Sequence, residues 1–225
     1  MLSIDSVCVR GKCESAAGGF QHALGILNPG LENPVTQCGE SALADRLLTT
    51  EALGKPEPRY PLELLFCRSC GLAQISYTVP PAELFCNDYP YFSSVSEELQ
   101  RHTIANVREL ISTRQLGPEN LVVELASNDG YLLKHYLQAG IRVLGIDPAE
   151  PPAKAAIAIG VETLIDFFTV DLATQLRGRG VAADVIHANN VLAHVADTNG
   201  FVAGVKALLK PTGVAVLEFP YVRDL

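Results

Sequence analysis

The chain has 225 residues, 48% of them hydrophobic and 19% charged, with 17 Lys plus Arg against 25 Asp plus Glu and a net charge of −8. That balance builds a sizeable core and argues against a disordered chain, while so acidic a surface repels phosphate backbones and argues against nucleic acid as a general partner. No run approaches the ~20 apolar residues of a membrane helix, and the opening MLSIDSVCVRGKC lacks a basic segment followed by an apolar stretch, so the expectation is a cytoplasmic globular protein with no secretory signal.

All six cysteines fall early: Cys8, Cys13, Cys38, Cys67, Cys70 and Cys86. In a reducing compartment, clustered thiols point to metal or redox chemistry rather than to disulfides. Cys67-Arg-Ser-Cys70-Gly71 is the informative spacing. Two intervening residues let both thiolates reach one ion, and Gly71 permits a turn that brings backbone amides toward sulfur. Cys8 and Cys13 are candidates for the other half of a tetrahedral four-cysteine zinc site. Cys38 and Cys86, each solitary, read as small packing residues, with Cys38 an alternative to Cys8 or Cys13. No βαβ unit surrounds the CxxC, which argues against a thioredoxin-like motif.

In chain order, residues 1–40 carry Gly18-Gly19, Asn28-Pro29-Gly30 and Asn33-Pro34 and read as turns and short strands. Ser41–Leu53 has apolar residues near helical spacing, followed by a proline-containing linker. Tyr60–Ile75 reads as a β-hairpin with the CxxC at its turn, ended by Pro80-Pro81. Residues 96–115 make an amphipathic helix, with Leu99, Thr103, Asn106 and Leu110 on one face and Val107 and Ile111 beside them. From Asn120 short apolar runs alternate with helical stretches: strands at 121–126, 141–147, 161–165, 183–187 and 213–219, and helices at 130–140, 152–159, 170–176 and 199–209. Such alternation implies a parallel sheet with helices on both faces and ligands bound at the C-terminal rim of the strands. The expected fold class is therefore α/β, a small β-rich zinc-binding domain at 1–86, a connecting segment and helix at 87–118, and a Rossmann-like domain at 119–225.

The first βα turn of that domain, Glu124-Leu-Ala-Ser-Asn-Asp-Gly130, is not the GxGxxG that brings a backbone close to a pyrophosphate. A cofactor without phosphates needs no such glycines. It needs an acid for its ribose hydroxyls, and Asp147 at the end of the second strand is placed for that role. S-adenosylmethionine, with an ammonium, a carboxylate and a sulfonium, fits better than NAD. Phe167 or Phe168 after the third strand can pack on an adenine ring, the other serving the core. Asn189 and Asn190 fall on the binding rim after the fourth strand. His194 lies four residues beyond Asn190, where either a structural or a catalytic role is open.

The order YPLELLFCRSCGLAQ, LFCNDYPYFSSVS, VVELASNDGYLL, VLGIDPA, DFF, ANNVLAHV, LEFPYVRDL resembles the sugar C-methyltransferases of deoxysugar and antibiotic biosynthesis over roughly residues 35–225. The resemblance implies a structural zinc held by Cys67 and Cys70, with Cys8 and Cys13 spaced more widely than the family's first CxxC. It implies an S-adenosylmethionine pocket lined by Glu124, Ser127, Asn128, Gly130, Asp147, Phe167 and Asn189. Tyr89 and Tyr91 would face the substrate, a nucleotide-linked 4-keto-deoxysugar methylated at C3 through an enolate, and Tyr89, Tyr91 and His194 are the candidate bases. The family's sheet continues past strand five, and a Tyr-His-Glu-His segment and a C-terminal domain follow, so the expectation is a methyltransferase domain truncated at Leu225. Two other readings remain open. One is a non-catalytic zinc-containing module that binds cofactor or a partner chain, or dimerises, to complete its sheet. The other is an NAD-dependent oxidoreductase, disfavoured by the missing GxGxxG.

Overall fold

The computed structural model describes residues 31–44, 46–67, 73–85 and 89–219, with only the backbone described for 31–37 and Cys67. Two units divide the chain, Met1–Leu84 and Phe85–Leu225. In the first, strands β1 (Leu31–Ser41), β2 (Tyr60–Cys67) and β3 (Ala73–Ile75) form an antiparallel sheet in that order. Asn33-Pro34, expected as a turn, lies inside β1 instead. Pro34 has no N–H for the ladder, and the β1–β2 register shifts on either side of it. The expected hairpin is the antiparallel β2–β3 pair, with Leu64 opposite Ile75. The helix expected at 41–53 does not form in its described residues, which show only a 3₁₀ turn at Thr50–Ala52. Leu47 and Leu53 are 79% and 63% exposed, so no apolar face is buried to stabilise a helix that short. Cys38, expected as a packing residue, is exposed. Cys8, Cys13, Cys70, Cys86 and the thiol of Cys67 lie outside the described residues.

A four-residue helix, α1 (Pro81–Leu84), closes the first unit. The second unit opens with α2 (Glu97–Arg114), where the Ser96 hydroxyl accepts the Leu99 N–H at the N-cap and Gln115 ends the helix in a left-handed conformation. Its buried line is Leu99, Thr103, Val107 and Ile111, one residue per turn, while Asn106, expected on that face, bonds His102 instead. Among the described residues no helix is long and apolar enough to cross a membrane.

Beyond α2 the expected alternation holds: β4 (Leu121–Leu125), α3 (Leu133–Gln138), β5 (Arg142–Ile146), α4 (Glu150–Ala158), β6 (Thr163–Leu164), α5 (Val170–Gly178), β7 (Ala183–Asn189), α6 (Thr198–Leu208) and β8 (Leu209–Glu218). All five strands are parallel, in the order β6-β5-β4-β7-β8. The order reverses between β4 and β7, and at such a switch point the crevice beyond the strand ends is open to a ligand. Side chains alternate along each strand. Val123, Leu125, Leu144, Ile146, Ile186 and Ala188 are all buried on one face. Right-handed crossovers put α5 and α6 on that side, where Phe168 meets Phe201 edge-on with ring centroids 5.4 Å apart.

The opposite face changes character along its strands. Val122, Val143 and Val185 pack with Val107 of α2 and with Leu133 and Tyr136 of α3. Two residues further along, the same face presents Glu124, Gly145 and His187. His187 is 1% exposed, its Nε2 lies 2.9 Å from the Tyr136 hydroxyl, and its Nδ1 has no partner. Burial pushes its pKa down from 6.5 to about 4. Below pH 6.5 the unfolded chain takes up a proton that the folded chain refuses, so His187 makes stability fall as pH drops from 6.5 to 4. The shift corresponds to roughly 3 kcal/mol. Glu124 and Asp147, whose folded pKa values are raised, act in the opposite sense. The histidine is therefore read from the difference between wild type and His187→Gln, which keeps a polar partner for Tyr136. In urea titrations at pH 6.5, 5 and 4, wild type should lose more stability than the variant. Parallel losses would contradict this account.

Candidate functional site

The site is built where the chain leaves β4. Ala126 and Asn128 have φ of +53° and +49°, and Gly130 follows at +74°. Three left-handed residues at alternate positions curl the loop tightly, a conformation that costs an ordinary side chain free energy and clusters at functional sites. The N–H groups of Ala126 and Ser127 both donate to the Ile146 carbonyl, at 2.7 and 3.4 Å. A Cβ on Gly145 would stand 2.5 Å from the Ser127 hydroxyl oxygen, so the bare backbone of β5 lets the loop approach. At Gly130 a Cβ would lie 3.1 Å from Val161 and 3.2 Å from Ala156.

Asp147, at the end of β5, is 4% exposed. One carboxylate oxygen accepts the Asn128 N–H at 2.7 Å and the other accepts the Ala149 N–H at 2.8 Å. Each oxygen retains a second lone pair. Burial raises its pKa, and the two amides counter that in part. Glu124 is 1% exposed, and one of its oxygens has no partner. Its pKa is held well above the usual carboxylate range, first by burial, then by the charges of Asp147 and Asp129. The Tyr131 hydroxyl beside it acts the other way. Tyr131 also meets Asn189, and burial raises its own pKa.

Four buried acceptor atoms at this rim lack partners: Glu124 Oε2, Ser127 Oγ, Asp129 Oδ1 and Asn189 Oδ1. Buried polar atoms are seldom left so, and all four belong to the end of β4, the loop after it or the end of the neighbouring β7. The charges acting on Glu124 are negative. Such a set suits ammonium, sulfonium and hydroxyl donors and would repel phosphate.

Of the residues singled out from sequence, Glu124, Ser127, Asn128, Gly130, Asp147 and Asn189 come together on this rim. The Asn128 side chain turns away from the crevice. Its Oδ1 accepts the Ser93 N–H at 2.8 Å and its Nδ2 donates to the Tyr91 carbonyl at 3.0 Å. Phe167, half-buried, follows β6, whereas Phe168 packs into α6 against Phe201 and Gly204. The Tyr89 and Tyr91 rings lie 6.5 Å apart, and Tyr91 is 46% exposed. His194 is exposed in the 3₁₀ turn Leu192–His194 after β7. Sequence reading missed Asp129, Tyr131 and Glu218. The first two flank Gly130, a position that itself marks them. Glu218 ends β8 opposite Asn189 and takes His102 of α2 at 2.7 Å. Among the described residues no cluster of His, Cys, Asp and Glu could hold a metal ion.

Residues 123–215 match the family model of a methyltransferase domain, and residues 29–85 match a zinc-binding domain family. The chain thus carries, in its second unit, a segment similar to a methyltransferase domain. It is 34% identical over 191 residues to C-methyltransferase NovU of Streptomyces niveus, covering 85% of this chain and 45% of that protein. It is 27% identical over 164 residues to the ubiquinone biosynthesis O-methyltransferase of Rhodopseudomonas palustris, covering 62% of each. The chain thus spans less than two thirds of either relative. Among solved structures, a SAM-dependent methyltransferase from Archaeoglobus fulgidus is 15% identical with a TM-score of 0.43, covering 55% of this chain and 54% of that one.

The double use of Asp147 gives a stability prediction. Asp147→Ala leaves two buried N–H groups without acceptors and should cost about 2–5 kcal/mol. Asp147→Asn keeps one carbonyl oxygen and should cost roughly half as much or less. Urea denaturation at neutral pH orders the three proteins, and an alanine variant as stable as the asparagine variant would contradict the assignment.

Proposed function

We propose that the protein is an S-adenosylmethionine-dependent C-methyltransferase acting at C3 of a nucleotide-linked 4-keto-deoxysugar. The observation that carries the cofactor is the group of partnerless, buried oxygen atoms at the β4–β7 switch point. Glu124 would take the ammonium of the methionine tail, with Ser127, Asp129 and Asn189 beside it. Asp147 would accept the ribose hydroxyls on its free lone pairs, and Phe167 would pack on the adenine. When bound, the cofactor supplies an electrophilic methyl group on a sulfonium. The chain's own work is to fix the two reacting carbons in line and to exclude water from the crevice.

The keto-sugar acceptor is supported by the motif order from YPLELLFCRSCGLAQ onward and by the relative named as a C-methyltransferase. In that chemistry the C3 proton is acidified by the neighbouring C4 carbonyl. Tyr89, Tyr91 and His194 are the candidate groups to hold the sugar nucleotide and accept that proton. A structural zinc is supported by the family match over residues 29–85, a span that holds Cys67 and Cys70, with Cys8 and Cys13 ahead of it as the other proposed pair. Physical need supports it too: in the described part of the first unit Val79 alone is a buried hydrophobic, and so thin a core calls for a further cross-link. At the other end, β8 is paired with β7 alone among the described residues, leaving an edge for a further strand of this chain or of a partner.

Calorimetry tests the cofactor assignment. Ligand-free Glu124 is biased to its protonated form, and an ammonium favours the carboxylate, so binding should release a proton. The binding heat of S-adenosylmethionine should therefore vary between buffers of different ionisation enthalpy. Glu124→Gln should abolish that variation and weaken binding about tenfold or more, and NADH should not bind. Equal affinity with no buffer dependence in either protein would remove Glu124 from the ammonium role. No binding to the folded protein would remove the cofactor reading altogether.

A further inference from the structure

Asn128 has two ends engaged in different directions. Its backbone N–H donates to Asp147, at the heart of the rim. Its side chain reaches the segment before α2, accepting from Ser93 N–H at 2.8 Å and donating to the Tyr91 carbonyl at 3.0 Å. Asp129 adds a second tie, one oxygen accepting the Ser94 N–H at 3.2 Å while the other stands among the partnerless rim atoms. Ser93, Asn128 and Asp129 are 7%, 7% and 6% exposed, so these contacts are shielded from water. Tyr91 presents a 46% exposed side chain on a backbone fixed at its own carbonyl.

The residue type is tightly constrained. The position has φ +49°, where asparagine is among the few tolerated side chains. A side-chain amide carries an oxygen that accepts and an NH2 group that donates, matching an N–H and a carbonyl two residues apart. Aspartate can meet only the first, and glycine keeps the backbone conformation but meets neither. We propose that Asn128, assisted by Asp129, is a positioning residue that seats the Tyr89–Ser94 segment on the loop of the cofactor crevice, so that filling the crevice orders the side chains presented to the acceptor. The proposal rests on the cofactor reading above for its coupling, and on the ligand-free geometry for its seating. It makes binding ordered: the acceptor meets a formed surface only after the cofactor has stilled the loop.

Hydrogen exchange read at the amides of Ser93 and Ser94 tests both parts. Without ligand, Asn128→Gly should speed exchange of these two amides about tenfold, the worth of one buried hydrogen bond, with β4 and β5 unchanged. Asn128→Asp should restore protection at Ser93 in part. With S-adenosylhomocysteine, wild type should gain about tenfold further protection at 93–94, and Asn128→Gly should bind the ligand yet show no such gain. Unaltered exchange at Ser93 in ligand-free Asn128→Gly overturns the seating. Ligand protection that is confined to 124–130 in wild type, or that is equal in Asn128→Gly, overturns the coupling. Failure of S-adenosylhomocysteine to bind wild type overturns the cofactor reading and the coupling with it, while the ligand-free comparison still decides the seating.

Discussion

Both oxygens of one buried carboxylate hold the rim together. Asp147 accepts the Asn128 N–H from the loop after β4 and the Ala149 N–H at the entry to α4. Neither amide has an intrahelical or ladder partner to fall back on, and an unsatisfied buried N–H costs about 1–3 kcal/mol. The curl of the loop that carries Asn128 and Asp129 rests on that anchor, together with the close approach of Ser127 to Gly145. A second carboxyl group at the same rim, Glu124, is kept nearly out of water, and a cation bound beside it would favour its ionised form.

The sheet explains why the charge sits where it does. One face is apolar at its N-terminal half, through Val122, Val143 and Val185, and polar at its C-terminal half, through Glu124 and His187. The apolar half pays for the order of the polar half. Each buried valine contributes on the order of 1.5 kcal/mol or more, and α2 and α3 cover those residues on one side. The polar half is satisfied only in part, by Tyr136 for His187, Tyr131 for Glu124 and Asn189, and backbone amides for Asp147, which leaves Glu124 Oε2, Asn189 Oδ1 and His187 Nδ1 without partners.

The parallel sheet was legible because its signal is periodic and repeated: five apolar runs separated by helical stretches admit few topologies. The position of Glu124 and Asp147 at strand ends was legible because the apolar runs before them mark where β4 and β5 stop. Asn128 was legible as a position and not as a role, since nothing in the sequence shows that its side chain reaches 35 residues back to Ser93. Tyr131 and Glu218 meet Asn189 only through tertiary structure, Tyr131 by a side-chain hydrogen bond and Glu218 by the β7–β8 register. Beyond Asn106 on α2, which bonds His102 instead of joining the buried face, the failures lie in the first unit. The apolar spacing of Ser41–Leu53 had no surface to bury against, and Pro34 marked a register shift within a long strand rather than its end. Both depend on neighbours that local pattern does not contain.

The central claim is that the rim at the β4–β7 switch point holds S-adenosylmethionine by its charges and hydroxyls. A crystal structure with S-adenosylhomocysteine tests it directly. The account predicts the ribose hydroxyls on Asp147, the ammonium on Glu124 and the adenine near Phe167. A ligand bound elsewhere, or bound here with its ribose away from Asp147 and its ammonium away from Glu124, would contradict it.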